Sequence, residues 1–148
     1  MRNSAANGIA KTVEGLKDTT KIMIEETCGW FQIYCKKWFV RNHVIPLMHE
    51  MRHIIQNLEN AEPYIRWLCE AECLQNIGLC QYYMKDFLPN EETLKLAIAQ
   101  MEKRFGNNCL RFTIYSNLLN NLGVVLQETS RHEEAEIHLT KALDAYEK

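Results

Sequence analysis

Proline and glycine are scarce in this chain, at three and six among 148 residues. So little punctuation, with no alternating runs of β-branched residues, leaves too little strand material for a sandwich or a parallel sheet. A dominant charge is lacking as well. Seventeen basic and nineteen acidic side chains give a formal charge of −2. The sequence pI is near 6.2. No positive field of the kind that binds phosphate backbones is present, so nucleic acid is not an expected partner. Runs of about eighteen apolar residues, the length that spans a bilayer, do not occur. Met1 to Gly15 holds no apolar signal-peptide core, and Arg2 stands where myristoylation needs glycine. The expectation is a soluble cytoplasmic protein with no membrane partner.

What the chain does have is a 47% hydrophobic composition, enough for one domain with a real core. Helix is the fold class left by elimination, and the expected class is all-α. Six cysteines raise the question of a disulfide framework. Cys28 and Cys35 are seven apart, and Cys69, Cys73 and Cys80 fall at i, i+4 and i+11, which places each group on one helix face. Cysteine packs as a small apolar residue, so reduced buried thiols in a reducing compartment are expected rather than bridges or a metal centre.

Helical spacing runs from about Ala10 to Trp38, with Gly15 and Gly29 leaving one long helix or two in series. Asn42 is a suitable N-cap for a helix carrying Pro46 in its first turn and Ile45, Met48 and Ile55 on its apolar side. Asn60 to Pro63 breaks the pattern, and Pro63 opens the next helix. Further helices are predicted from Tyr64 to Met84, from Pro89 to Phe105, from Leu110 to Thr129, and from Ser130 to the end. Gly106, Asn107 and Asn108 supply a turn, and Ser130 with Glu133 forms a capping-box pattern. About seven helices with short connections are expected.

The chain also repeats itself. At a shift of 45 residues, Leu74 aligns with Leu119, Asn76 with Asn121, Ile77 with Leu122 and Gly78 with Gly123. The register continues through Leu94 with Leu139, Ala97 with Ala142 and Ile98 with Leu143, to Glu102-Lys103 with Glu147-Lys148. A period of this length marks a repeat architecture. Small residues at Gly78, Gly123, Ala97 and Ala142 set how closely two helices approach, and leucines fill the space around them.

The run Asn120-Asn121-Leu122-Gly123, with Arg131-His132-Glu133-Glu134-Ala135-Glu136 and Lys141-Ala142-Leu143, resembles a tetratricopeptide repeat (TPR). Its Asn-Asn-Leu and Glu-Ala-Glu wording, and its length, are similar to the kinesin light chain variety. The resemblance covers the last repeat closely, from about Thr113 to Lys148. It covers the preceding one, from about Glu70 to Phe105, less closely, because Gln81 and Asn90 stand at apolar or small positions. Residues 1–60 depart from the pattern and are expected as an N-terminal helical segment, a degenerate repeat or a cap, beside two TPR-like repeats in 61–148. The resemblance implies a right-handed α-solenoid of helix hairpins with an N-terminal helical bundle. It implies a non-catalytic interaction module or scaffold that binds a partner peptide or helix in its concave groove.

On the first helix of the last repeat, Asn117, Asn120, Asn121, Val124 and Glu128 lie opposite the packing stripe. The equivalent face of the preceding repeat carries Glu72, Gln75, Asn76, Leu79 and Tyr83. Asparagine amides both donate and accept, and so suit the backbone of a bound peptide, while Leu79, Tyr83 and Val124 offer apolar contact. No cofactor is expected. The end of the last helix has no polar closing helix, so self-association or continuation in a longer chain is expected there.

Two other signals compete. His49-Glu50-Met51-Arg52-His53 matches the H-E-x-x-H zinc pattern, with Glu70 or Glu72 in range as a third ligand, which resembles a gluzincin metallopeptidase. Arg52 within the motif and the lack of a strand to bind substrate count against that chemistry. The cluster Trp30, Phe31, Tyr34, Lys36, Lys37, Trp38, Phe39 and Arg41 is read as a core stripe with lysine stems lying along it.

Overall fold

The computed structural model describes residues 36–147, which divide between two compact units, Met1–Asn42 and His43–Lys148. Every regular element among the described residues is helical. The predicted helix from Ala10 lies almost wholly outside them, as do Trp30, Phe31, Tyr34, Cys28 and Cys35. The described end of the first unit is helical, and Trp38 and Phe39 are exposed in it rather than buried in a core stripe.

The second unit holds five α-helices: α1 (Ile45–Gln56), α2 (Pro63–Met84), α3 (Phe87–Phe105), α4 (Thr113–Glu128) and α5 (His132–Tyr146). A short π-helical turn, Val40–Val44, leads into α1, and a 3-10 turn, Gly106–Arg111, joins α3 to α4. Each helix packs on the one before it, and α2 also packs on α4. The α1 helix therefore lies in the same compact unit as the two hairpins that follow it.

Pro63 opens α2 as expected, at a position where its missing N–H leaves no helical bond unmade. The buried residues of α2, among them Ala71, Cys73, Leu74, Asn76, Ile77 and Cys80, are not confined to one stripe, because α1, α3 and α4 press on it from different sides. Asn76 is thus buried rather than presented on an open face. Cys73, Cys80 and Cys109 are buried and Cys69 is half-buried.

The two hairpins, α2 with α3 and α4 with α5, reproduce one another at the 45-residue shift in backbone detail. Lys85 and Ser130 are the only described residues other than glycine with positive φ, at 62° and 61°. The Lys85 N–H donates to Tyr82 O (2.9 Å) and the Ser130 N–H to Gln127 O (3.0 Å). The Asp86 N–H donates to Gln81 O (2.9 Å) and the Arg131 N–H to Leu126 O (2.8 Å). Both turns are therefore left-handed closures of the first helix with the same pair of backbone hydrogen bonds. The packing repeats as well. A Cβ added at Gly78 would meet Asn90 and Leu94, and one added at Gly123 would meet Leu139 and the Ala135 carbonyl, which are the same two positions.

Several boundaries differ from the sequence reading. The capping box at Ser130 and Glu133 does not form: Ser130 takes the left-handed conformation that ends α4, and Arg131 becomes the N-cap of α5 with no side-chain cap bond. Asn42 is not an N-cap either, since its amide donates back to Trp38 O (2.8 Å) and the helix continues through it. The α3 helix starts at Phe87, two residues before Pro89, because proline is still tolerated within the first turn. The stretch from Leu110 is taken up by the 3-10 turn, so α4 begins only at Thr113.

Replacing the left-handed residue in either turn should stabilise the protein. Lys85→Gly and Ser130→Gly are each expected to raise the unfolding free energy by about 0.5–1 kcal/mol in urea titrations, additively. Gly123→Ala should destabilise by about 1–3 kcal/mol and Gly78→Ala by less, because the added Cβ would lie 2.5 Å from Leu139 Cγ but 3.1 Å from Asn90 Oδ1.

Candidate functional site

The sequence pointed to the faces of α2 and α4, and the packing of these two helices on each other brings the faces together. Between them lies a half-open cleft of about 140 Å3, lined by Gly78, Leu79, Tyr82, Tyr83, Asn90, Asn121, Val124 and Val125. Four of the expected groove residues, Leu79, Tyr83, Asn121 and Val124, share this cleft. Tyr83 stands exposed at its edge, and its ring meets that of Tyr82 edge-on at 6.3 Å. Tyr82 donates to Glu128 on α4 at 3.2 Å, and Glu128 itself does not line the cleft.

The remaining expected residues are dispersed. Gln75 is half-buried and Asn120 exposed, and neither lines the cleft. Asn117 accepts a hydrogen bond from the Tyr146 hydroxyl on α5 and does not line the cleft. Asn76 is buried in the core of the unit. Glu72 is exposed on α2.

Four cleft residues were missed: Gly78, Tyr82, Asn90 and Val125. Asn90 comes from α3, not from the first helix of a hairpin, and only 1% of its surface is exposed. Its Oδ1 accepts no hydrogen bond. The signal was present in the sequence, because the register partner of Asn90 is Ala135, a departure from the small residue that a helix crossing asks for.

Buried ion pairs hold the helices that form the cleft. Glu70 on α2 is 2% exposed. It accepts from Arg52 on α1 (3.2 Å), from Gln56 on α1, and from Arg104 on α3 (2.6 Å). Burial alone would raise the Glu70 carboxyl, but the hydrogen bonds from Gln56 and Arg104 and the two arginine charges hold it below the ordinary carboxylate range. Glu91 on α3 accepts from Arg131 at 2.7 and 2.8 Å and from Lys95 at 2.5 Å. Its pKa is lowered chiefly by the Lys95 hydrogen bond, against burial, with Arg131 adding to the effect. Arg131 also grips Glu134, so this pair ties α3 to the start of α5. Burial pushes the Cys73 and Cys80 thiols up to about 11, which makes them poor nucleophiles at neutral pH.

The zinc pattern does not assemble. His49, Glu50 and His53 are exposed on α1, and both Glu70 oxygens are engaged by Arg52, Gln56 and Arg104. Arg52, inside the motif, is turned to Glu70 instead. No group of three or more His, Cys, Asp or Glu placed to hold a metal ion occurs among the described residues. No helix of the described residues is long and apolar enough to cross a membrane. Comparison of the chain with models of protein families, with curated proteins and with solved structures finds no match.

The lowered carboxylates set an acid limit. A carboxyl whose folded pKa lies below its unfolded value near 4.5 stabilises the fold fully above that value. That contribution is lost as pH falls through the folded pKa. Thermal unfolding followed by circular dichroism should show a melting temperature that is flat from pH 7 to about 5.5 and falls steeply below about 4.5. Glu70→Gln should lower stability at pH 7 by about 1–3 kcal/mol and make the acid slope shallower.

Proposed function

We propose that this chain is a non-catalytic interaction module whose α2–α3 and α4–α5 hairpins are TPR-like repeats of a right-handed α-solenoid. The α2 and α4 face binds a peptide or helix from a partner protein. The observation that carries this reading is the cleft itself, formed where the faces of two register-equivalent helices meet. Its rim combines apolar side chains (Leu79, Val124), an aromatic ring (Tyr83) and a carboxamide (Asn121). An amide that both donates and accepts can hold a peptide backbone whatever its sequence, and the flanking apolar groups exclude water from that bond. Repeat architectures use such stacked faces in the same way.

A second surface supports the interaction role. Ile98 and Met101 on α3 are 7% and 1% exposed, in the helix on which α4 packs. Their counterparts on α5, Leu143 and Tyr146, are 58% and 52% exposed. A helix stacked on α5 as α4 stacks on α3 would cover them, and a second copy of this chain supplies it in our reading.

Both parts can be tested. A partner recovered from cell extract on the immobilised protein and identified by mass spectrometry should bind Asn121→Ala with Val124→Ser at least about tenfold more weakly, with the far-ultraviolet spectrum unchanged. Glu136→Ala, exposed on α5 and outside the cleft lining, should bind as the wild type does. Undiminished binding by the α4 variant would overturn the groove. Sedimentation equilibrium should show a dimer that Leu143→Glu dissociates. A monomer at about 100 μM, near the weak limit for a specific association, would overturn the second surface.

A further inference from the structure

Asn90 is the departure from the repeat that packing does not explain. At the register-equivalent place the second hairpin has Ala135, which is 1% exposed and closes the same crossing against Gly123. The first hairpin has a carboxamide there, also 1% exposed. Its Oδ1 lies 3.1 Å from where a Gly78 Cβ would be and has no hydrogen-bond partner, and Asn90 is among the residues that line the α2–α4 cleft. A buried acceptor left unpaired costs about 1–3 kcal/mol, which alanine at the same place avoids. Natural sequences retain such a cost where a ligand removes it.

Resting on the reading of the α2–α4 face as a peptide surface, we propose that this cleft is a pocket for a side-chain carboxamide of the partner, a glutamine. Three observations select that group. Neither a carboxylate nor a cationic side chain lines the cleft, so a buried ammonium or carboxylate would go uncompensated. The walls are Leu79, Val124, Val125 and the tyrosine rings, which suit a methylene stem. The two polar side chains that reach in besides the tyrosines, Asn90 and Asn121, are both primary amides, and a third amide meets them reciprocally. Its NH2 donates to Asn90 Oδ1, and its oxygen accepts from an amide of the pair. The space of about 140 Å3 admits a side chain of glutamine size.

The test uses two blocked amino acids of nearly equal volume, N-acetyl-glutamine-N-methylamide and N-acetyl-methionine-N-methylamide, titrated into the 15N-labelled full chain. The glutamine compound should move the amide signals of Gly78, Leu79, Val124 and Val125 saturably. It should bind about threefold to tenfold more tightly than the methionine compound, the span of one net hydrogen bond. Asn90→Ala should abolish the preference for glutamine over methionine and melt no lower than the wild type. Equal binding of the two compounds, no saturable shift at these amides, or a preference that survives Asn90→Ala would overturn the proposal. A melting temperature lowered by Asn90→Ala would likewise overturn it, by making Asn90 a packing residue. Failure here alongside a partner still sensitive to Asn121 and Val124 removes the pocket and leaves the peptide surface standing; loss of both removes both.

Discussion

The structure depends on how closely the second helix of each hairpin can approach the first. Gly78 and Gly123 set that distance, since any Cβ at either place would press into a leucine of the facing helix. The turn that delivers the facing helix is fixed as firmly, by one residue in the left-handed conformation and two backbone hydrogen bonds across it. Both features hold the hairpin in a single geometry, so a second hairpin built the same way stacks with α4 in contact with both α2 and α3. The cleft between α2 and α4 is a product of that stacking.

Polar groups then secure what the close approach arranges. Glu70 ties α1, α2 and α3 through two arginines and a glutamine, and Glu91 ties α3 to the start of α5 through Arg131. Glu102 accepts from Tyr115 on α4 (2.7 Å) and Lys141 on α5 (2.8 Å), joining α3 to both helices of the second hairpin. A buried carboxylate is tolerated because its cationic and amide partners supply what water would have given. The result is a rigid frame around a face that is partly open, the arrangement a binding surface requires.

Much of this was legible in the residues. Helical periodicity gave the fold class, and the 45-residue register gave the two hairpins, because glycine, leucine and alanine at fixed spacing report crossing points directly. Local rules did less well at the joints. Ser130 reads as an N-cap by its hydroxyl, yet the need to close α4 with a left-handed residue prevailed, and the cap position passed to Arg131. Asn76 aligns with Asn121, but burial separates them: α2 lies between neighbours, while Asn121 stays at a rim. Asn90 was noticed only as a mismatch, since whether a polar residue at a crossing is unpaired depends on partners that spacing cannot name. The His49 motif fails for the same reason, with Glu70 claimed by Arg52 and Arg104.

Two segments offset by 45 residues form one and the same hairpin, and their stacking makes the cleft. Nuclear Overhauser spectra of the full chain address it most directly. Strong contacts are expected from the Gly78 α-protons to the Leu94 methyls, with matching contacts from Gly123 to Leu139, and contacts between Leu79 and Val124 across the cleft. A spectrum with the first pair and not the second, or with neither glycine near its leucine, would contradict it.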